Sequence, residues 1–105
     1  MTEAKSEKGD ARWDALAIHC DDDVAVALRD LSDGETIAVR RRGAIERMRV
    51  HERVPFGHKI ALRALPRGAA IRKYGENIGV ATIDIAAGAH VHVHNLASNR
   101  AKRTP

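Results

Sequence analysis

The sequence predicts a small, mostly-β domain of short strands, tight glycine turns and long hairpins. Three observations carry this. Apolar residues recur with period two at Val24, Val26 and Leu28, at Ile37 and Val39, and at Ile83 and Ile85, as half-buried strands require. A spaced pattern repeats: Leu28, Leu31, Gly34, Ile37 lines up with Leu62, Leu65, Gly68, Ile71 and with Thr82, Ile85, Gly88, Val91. A looser copy runs through His51, Val54, Gly57 and Ile60. Finally, no segment carries a strong, capped helical stripe.

Each copy supplies an apolar residue, turn-type positions, a glycine suited to positive φ, and a branched apolar residue suited to a strand start. The copies are unevenly spaced, which excludes a solenoid. Along the chain, residues 1–12 are charged, with Met1, Ala4 and Ala11 as their apolar members, and are expected to be a disordered tail. The folded domain is expected over 13–98 and a basic tail with Arg100, Lys102 and Arg103 over 99–105. Asp21 to Asp23 read as a turn before the strand at Val24. Ile37 to Val50 reads as a hairpin around Gly43 with Arg40, Arg41 and Arg42 at its tip. Glu, Arg and Ala also favour helix, so a helix between about Asp33 and Val50 stays open. Pro55 and Pro66 stand just before turn glycines and mark strand edges.

Composition narrows the function. Aromatics make up 3% of the 105 residues (Trp13, Phe56 and Tyr74), so the core is aliphatic. A stacking platform for single-stranded nucleic acid wants exposed aromatic faces, and nucleic acid is therefore not expected as a partner. A lone cysteine, Cys20, permits no intrachain disulfide and fits a reducing, cytoplasmic setting. The polar start from Thr2 to Asp10 has no apolar core of a secretory signal, and no stretch is long enough to cross a bilayer. The net charge of +4 suits a polyanion, an acidic substrate or an acidic partner subunit. The arginine run and the basic tail also read as a solvated loop and a frayed end.

The most informative tract is His90-Val91-His92-Val93-His94-Asn95. As a strand it would place His90, His92 and His94 on one face, about 7 Å apart, with Val91 and Val93 in the core. Imidazoles titrate near neutral pH, so they can share a metal, hold an anion or move a proton. Asn95 adds an amide that can donate to a carboxylate or hydroxyl. An ordinary exposed strand explains the alternation equally well, and two histidines fall short of a full ligand set. His19, Cys20 and Asp21 to Asp23 form the rival cluster.

Four segments resemble the altronate/galactarate dehydratase family. They are Ile18 to Leu31, Val54-Pro-Phe-Gly-His-Lys-Ile-Ala-Leu62, Ile71-Arg-Lys-Tyr-Gly-Glu-Asn-Ile-Gly-Val-Ala-Thr82, and Gly88 to Leu96. They occur in order over about Ala15 to Ser98, with residues 34–50 matching only loosely. The resemblance implies a SAF-type β-clip fold. It implies the small subunit, or detached N-terminal domain, of a hydro-lyase acting on a sugar acid of the altronate or galactarate type. The small subunit of a sulfolactate sulfo-lyase is similar as well. A large catalytic dehydratase subunit and iron(II) in the assembled enzyme are implied, so the chain alone would be inactive. Carried over residue by residue, His92 and His94 are the catalytic candidates and, as an incomplete set, the metal ligands. His58, Lys59, Tyr74, Gly75 and Asn95 are the substrate-binding candidates. Two further options are a stand-alone module binding sugar acids or other anions without catalysis, and a homo-oligomer of the isolated chain.

Overall fold

The structure, a computed structural model, describes residues 13–98. The expected tails, 1–12 and 99–105, lie outside the described residues. Nine strands follow in order: β1 Ala15–Ala17, β2 Val24–Ala27, β3 Thr36–Arg41, β4 Ala44–Arg49, β5 Lys59–Ala61, β6 Ala70–Lys73, β7 Glu76–Ala81, β8 His90–Val91 and β9 Leu96–Ser98. Among the described residues there is no helix, which settles the mostly-β expectation. Six strands form one sheet, in the order β4-β3-β1-β2-β5-β8; the other three form a second sheet, β6-β7-β9.

The repeated pattern proves to be the frame of the fold. Gly34, Gly57, Gly68 and Gly88 all take φ between 83° and 91°. Each is the third residue of a turn whose fourth N–H returns to the first carbonyl: Glu35 to Ser32, His58 to Pro55, Ala69 to Pro66 and Ala89 to Ala86. Positive φ at that position is the type II turn requirement, which only glycine meets without strain. The residue just before each turn is fully or almost fully buried, and these residues pair off. Leu31 bridges Val54, and Leu65 bridges Ile85, each pair exchanging two backbone hydrogen bonds of 2.8–2.9 Å. An aspartate repeats the relation: Asp30 Oδ1 accepts from Phe56 N–H at 2.8 Å, and Asp84 Oδ1 from Arg67 N–H at 2.9 Å. The loose fourth copy is thus the partner of the first, and the second pairs with the third.

Two small cores result. Leu31, Val54, Ile37, Val39 and Ile60 fill the first; Leu65, Ile85, Ile71, Val24 and Val91 fill the second. None of these side chains needs an aromatic neighbour, in line with the composition.

Two local expectations resolve differently. The 33–50 segment is the β3–β4 hairpin, and the helical option falls. Arg42 and Gly43 form its two-residue turn with φ of 50° and 88°, the left-handed pair that matches strand twist. The tract 90–95, by contrast, is a strand only at His90–Val91. β5 offers Lys59 and Ile60 as its pairing partners and no more. From His92 the chain turns, with Asn95 N–H and Leu96 N–H both donating to the His92 carbonyl at 3.0 Å. Val91 is buried as expected, whereas Val93 is 81% exposed and leaves the core.

Candidate functional site

The turn that ends β8 is held by one buried side chain. Asn95 is 3% exposed. Its Oδ1 accepts from His92 N–H at 2.9 Å, and its Nδ2 donates to the His90 carbonyl at 2.8 Å. An asparagine amide that satisfies local backbone competes with strand pairing, so it stops β8 here. Asn95, a substrate-binding candidate by sequence, therefore has its amide committed to shaping the loop. Asn95→Ala should cost about 1–3 kcal/mol by stranding a buried N–H and C=O. It should also broaden the His92 ring resonances by NMR while leaving those of His51 sharp.

The loop places His92 beside two other imidazoles. His58 follows the Gly57 turn at the start of β5, and His90 pairs across from Ile60 on β8. His58 Nδ1 and His90 Nε2 are 2.8 Å apart, one donating and one accepting. The His92 ring stacks on His58, with centroids 3.9 Å apart and planes 13° apart. One nitrogen from each of His58, His90 and His92 lies within 4.8 Å of the others. His94 is exposed; its ring is 5.1 Å from that of His90 but outside this set. The cluster thus retains His92, replaces His94 with His90, and adds His58 from the Gly-His-Lys motif. Burial lowers the pKa of His90 and His92, and the repulsion that a second positive charge would meet lowers it further: from His94, His58 and His92 at His90, and from His58, Lys59 and His94 at His92. Both are thereby biased toward the free-base form, which can ligate a metal or accept a proton.

Iron(II) tests this set on two points. Three neutral imidazole nitrogens are suitable donors. Adjacent ligands at roughly 2.1 Å from a metal sit about 3 Å apart, so the His58–His90 separation fits. The His92 ring faces His58 flat-on, so it would have to turn to present an edge. By donor type and by the His58–His90 spacing the set suits the group, and with His92 turned edge-on His58, His90 and His92 are the residues that would hold it.

His92 also lines a cleft of about 350 Å³, together with Lys59, Lys73, Ile78, Val93, Leu96 and Ser98. Burial first, and then the charge of Lys73, lower the pKa of Lys59. Two ammonium groups in one cleft gain from an anion that relieves their repulsion. Lys73 is the cleft-lining residue that residue-by-residue reading passed over; its signal was the Lys-Tyr-Gly-Glu motif, which carries it.

Tyr74 and Gly75 are not brought into this cleft. They form the β6–β7 turn, with φ of 56° and 79°. The turn docks on the His19–Asp22 segment: Gly75 N–H donates to Asp22 Oδ1 at 2.8 Å, and a Cβ at Gly75 would meet the His19 ring at 2.9 Å. Tyr74 touches the cleft only through Lys73, whose Nζ lies 4.6 Å from the phenol ring centre. Burial raises the pKa of Asp22, but N–H donors from Gly75, His19 and Tyr74 outweigh it and hold the group below the ordinary carboxylate value. The stability this contributes is complete above the unfolded pKa of about 4 and is lost as pH falls through the lower folded value. Asp22→Asn should therefore lower Tm at pH 7, and the gap from the parent protein should narrow in thermal melts below about pH 4.

Fold and site together define a small all-β domain that carries an imidazole cluster and a lysine-lined cleft at one sheet edge. The chain belongs to the altronate/galactarate dehydratase SAF domain family, which matches residues 13–99. It is 44% identical to altronate dehydratase of Escherichia coli (strain K12) over 80% of its own length, and 40% identical to that of Bacillus subtilis (strain 168) over the same share. It spans only 16% of either enzyme. It is also 47% identical to (2R)-sulfolactate sulfo-lyase subunit alpha of Paracoccus pantotrophus, over 45% of this chain and 70% of that subunit. Among the described residues no helix is long and apolar enough to cross a membrane.

Proposed function

We propose that this chain is the accessory small subunit of a cytoplasmic hydro-lyase that dehydrates a sugar acid of the altronate or galactarate type. It contributes to an active site completed by a large catalytic subunit. The observation that carries the reading is the placement of His92 between the His58–His90 pair and the Lys59–Lys73 cleft. Two ammonium groups and an imidazole cluster are the groups that an acidic, polyhydroxylated substrate calls for. Its likeness to a protein named as a subunit supports a separate partner.

The chemistry follows from the residues. Eliminating water from a hydroxy acid requires a base for the C–H next to the carboxylate, a cation to hold the enediolate, and assistance to the leaving hydroxide. Lys59 and Lys73 bind the carboxylate as point charges. His92, biased toward its free base and lining the cleft, can accept or return a proton. Bound iron would supply Lewis-acid assistance to the leaving hydroxyl. A loop anchored by Asn95 keeps His92 in position between the two halves of the site.

A second reading, the small subunit of a sulfolactate sulfo-lyase, is favoured by the 70% coverage of the Paracoccus subunit. Purifying the chain with its large partner and offering altronate, galactarate and sulfolactate separates the readings. Formation of a 2-keto-3-deoxy acid supports the first and release of sulfite the second. Ligand binding by the isolated chain with no partner recovered would instead indicate a stand-alone binding module.

A further inference from the structure

The six-stranded sheet is covered unevenly. One face, carrying Ala25, Ile37, Val39 and Ile60, is buried in the first core. The opposite face is covered at its β2–β5–β8 end, where Val24, Ala61 and Val91 join the second core. At the β1–β3–β4 end that same face stays open. The registers Leu16↔Arg40 and Arg40↔Ile45 put these three residues on it. Ile18 and Ile45 are 52% and 48% exposed. Trp13 lies against Arg40, whose guanidinium carbon is 4.6 Å from the ring centre. Trp13, Leu16 and Ile18, with Arg40 and Arg42, line a cleft of about 520 Å³. Arg47 and Arg49 share the face of Ile45 by alternation along β4 and extend the basic border.

Among the described residues this border has no counter-charge. Arg40, Arg42, Arg47 and Arg49 form no ion pair among the described residues. The carboxylates on these strands are engaged elsewhere. Asp14 accepts from Arg29 at 3.0 Å and from Ala38 N–H at 2.9 Å, and Glu46 shares the other face with Val39, 3.7 Å from Arg41.

We infer that this open sheet end docks the large dehydratase subunit, whose complementary face offers an apolar projection to the Trp13–Ile18 cleft and carboxylates to the four arginines. The inference rests on the accessory-subunit reading. Tryptophan and arginine are the side chains that anchor protein interfaces, and guanidinium groups reward a carboxylate partner with paired hydrogen bonds. The surface lies at the opposite end of the strand order from β8, so its anchoring residues are separate from the histidine cluster that the large subunit completes.

The test is calorimetric titration of the full chain into the large dehydratase polypeptide of the same cells. Arg47→Glu with Arg49→Glu is the variant, since both side chains are exposed on an edge strand and a thermal melt checks folding. The Kd should rise at least about tenfold, wild-type affinity should fall with added NaCl, and His92→Ala should bind as wild type. If the double variant binds as tightly as wild type, the docking surface is elsewhere and the accessory reading stands. If wild type itself does not bind the large polypeptide, the accessory reading falls and the docking inference with it. Loss of a homodimer, or of duplex DNA affinity, in place of loss of the complex would also overturn the inference.

Discussion

His92→Ala in the assembled enzyme should lower kcat by about two to four orders of magnitude, the range for removing a positioned proton-transfer group. His58→Ala and His90→Ala should produce comparable losses and reduce iron content measured by elemental analysis. His94→Ala should change kcat by less than about threefold, because its exposed ring stands outside the group of three. The contrast is specific to the loop geometry. On a continuous strand His92 and His94 would be equivalent neighbours on one face. The turn closed by Asn95 separates them, stacking His92 on His58 and leaving His94 at the surface. Equal losses at His92 and His94 would show that the tract acts as an extended strand and that the cluster is misassigned.

Leu65→Ala should be the most damaging core substitution, costing about 2–5 kcal/mol. Leu65 is fully buried in the second core and its backbone is locked to Ile85 by two hydrogen bonds of 2.8 Å. The cavity cannot readily collapse, because both flanking residues are fixed by glycine turns. At roughly 4–8 °C per kcal/mol for a domain this size, Tm should fall by at least about 8 °C. That is a large part of the margin of a small domain with a stability of about 5–15 kcal/mol. Val93→Ala serves as the comparison, since Val93 is an apolar residue of the same tract but lies in solvent; its Tm should stay within about 2 °C of the parent. A Leu65→Ala melt that matches the Val93→Ala melt would contradict the two-core description.

Much of this architecture was legible in the sequence because it depends on local rules. The glycine pattern recurs because a type II turn has one position that asks for positive φ. Buried branched residues recur because each turn feeds a strand. What the pattern did not disclose is which copies pair, since Leu31 and Val54 meet by tertiary folding and carry no mark of it. The hairpin around Gly43 needed one further fact, the positive φ of Arg42, which no propensity assigns to arginine. At the site, His58, Lys59 and His92 were visible as motif residues. The departure at His92 was not, because alternating His and Val obeys the strand period up to the point where the Asn95 amide captures the backbone. Tyr74 and Gly75 carried as strong a motif as Lys59, yet they serve a turn that Asp22 anchors. Lys73, beside them, is the residue that enters the cleft.

The proposed site is one that this domain completes and does not contain alone. Its most direct test is to titrate the full chain into a fixed amount of the large dehydratase subunit and follow formation of 2-keto-3-deoxy acid from altronate and from galactarate. Turnover should rise with added chain and saturate at one chain per large subunit, and His92→Ala should saturate at the same ratio with little turnover. Turnover by the large subunit that is already maximal without this chain would contradict it.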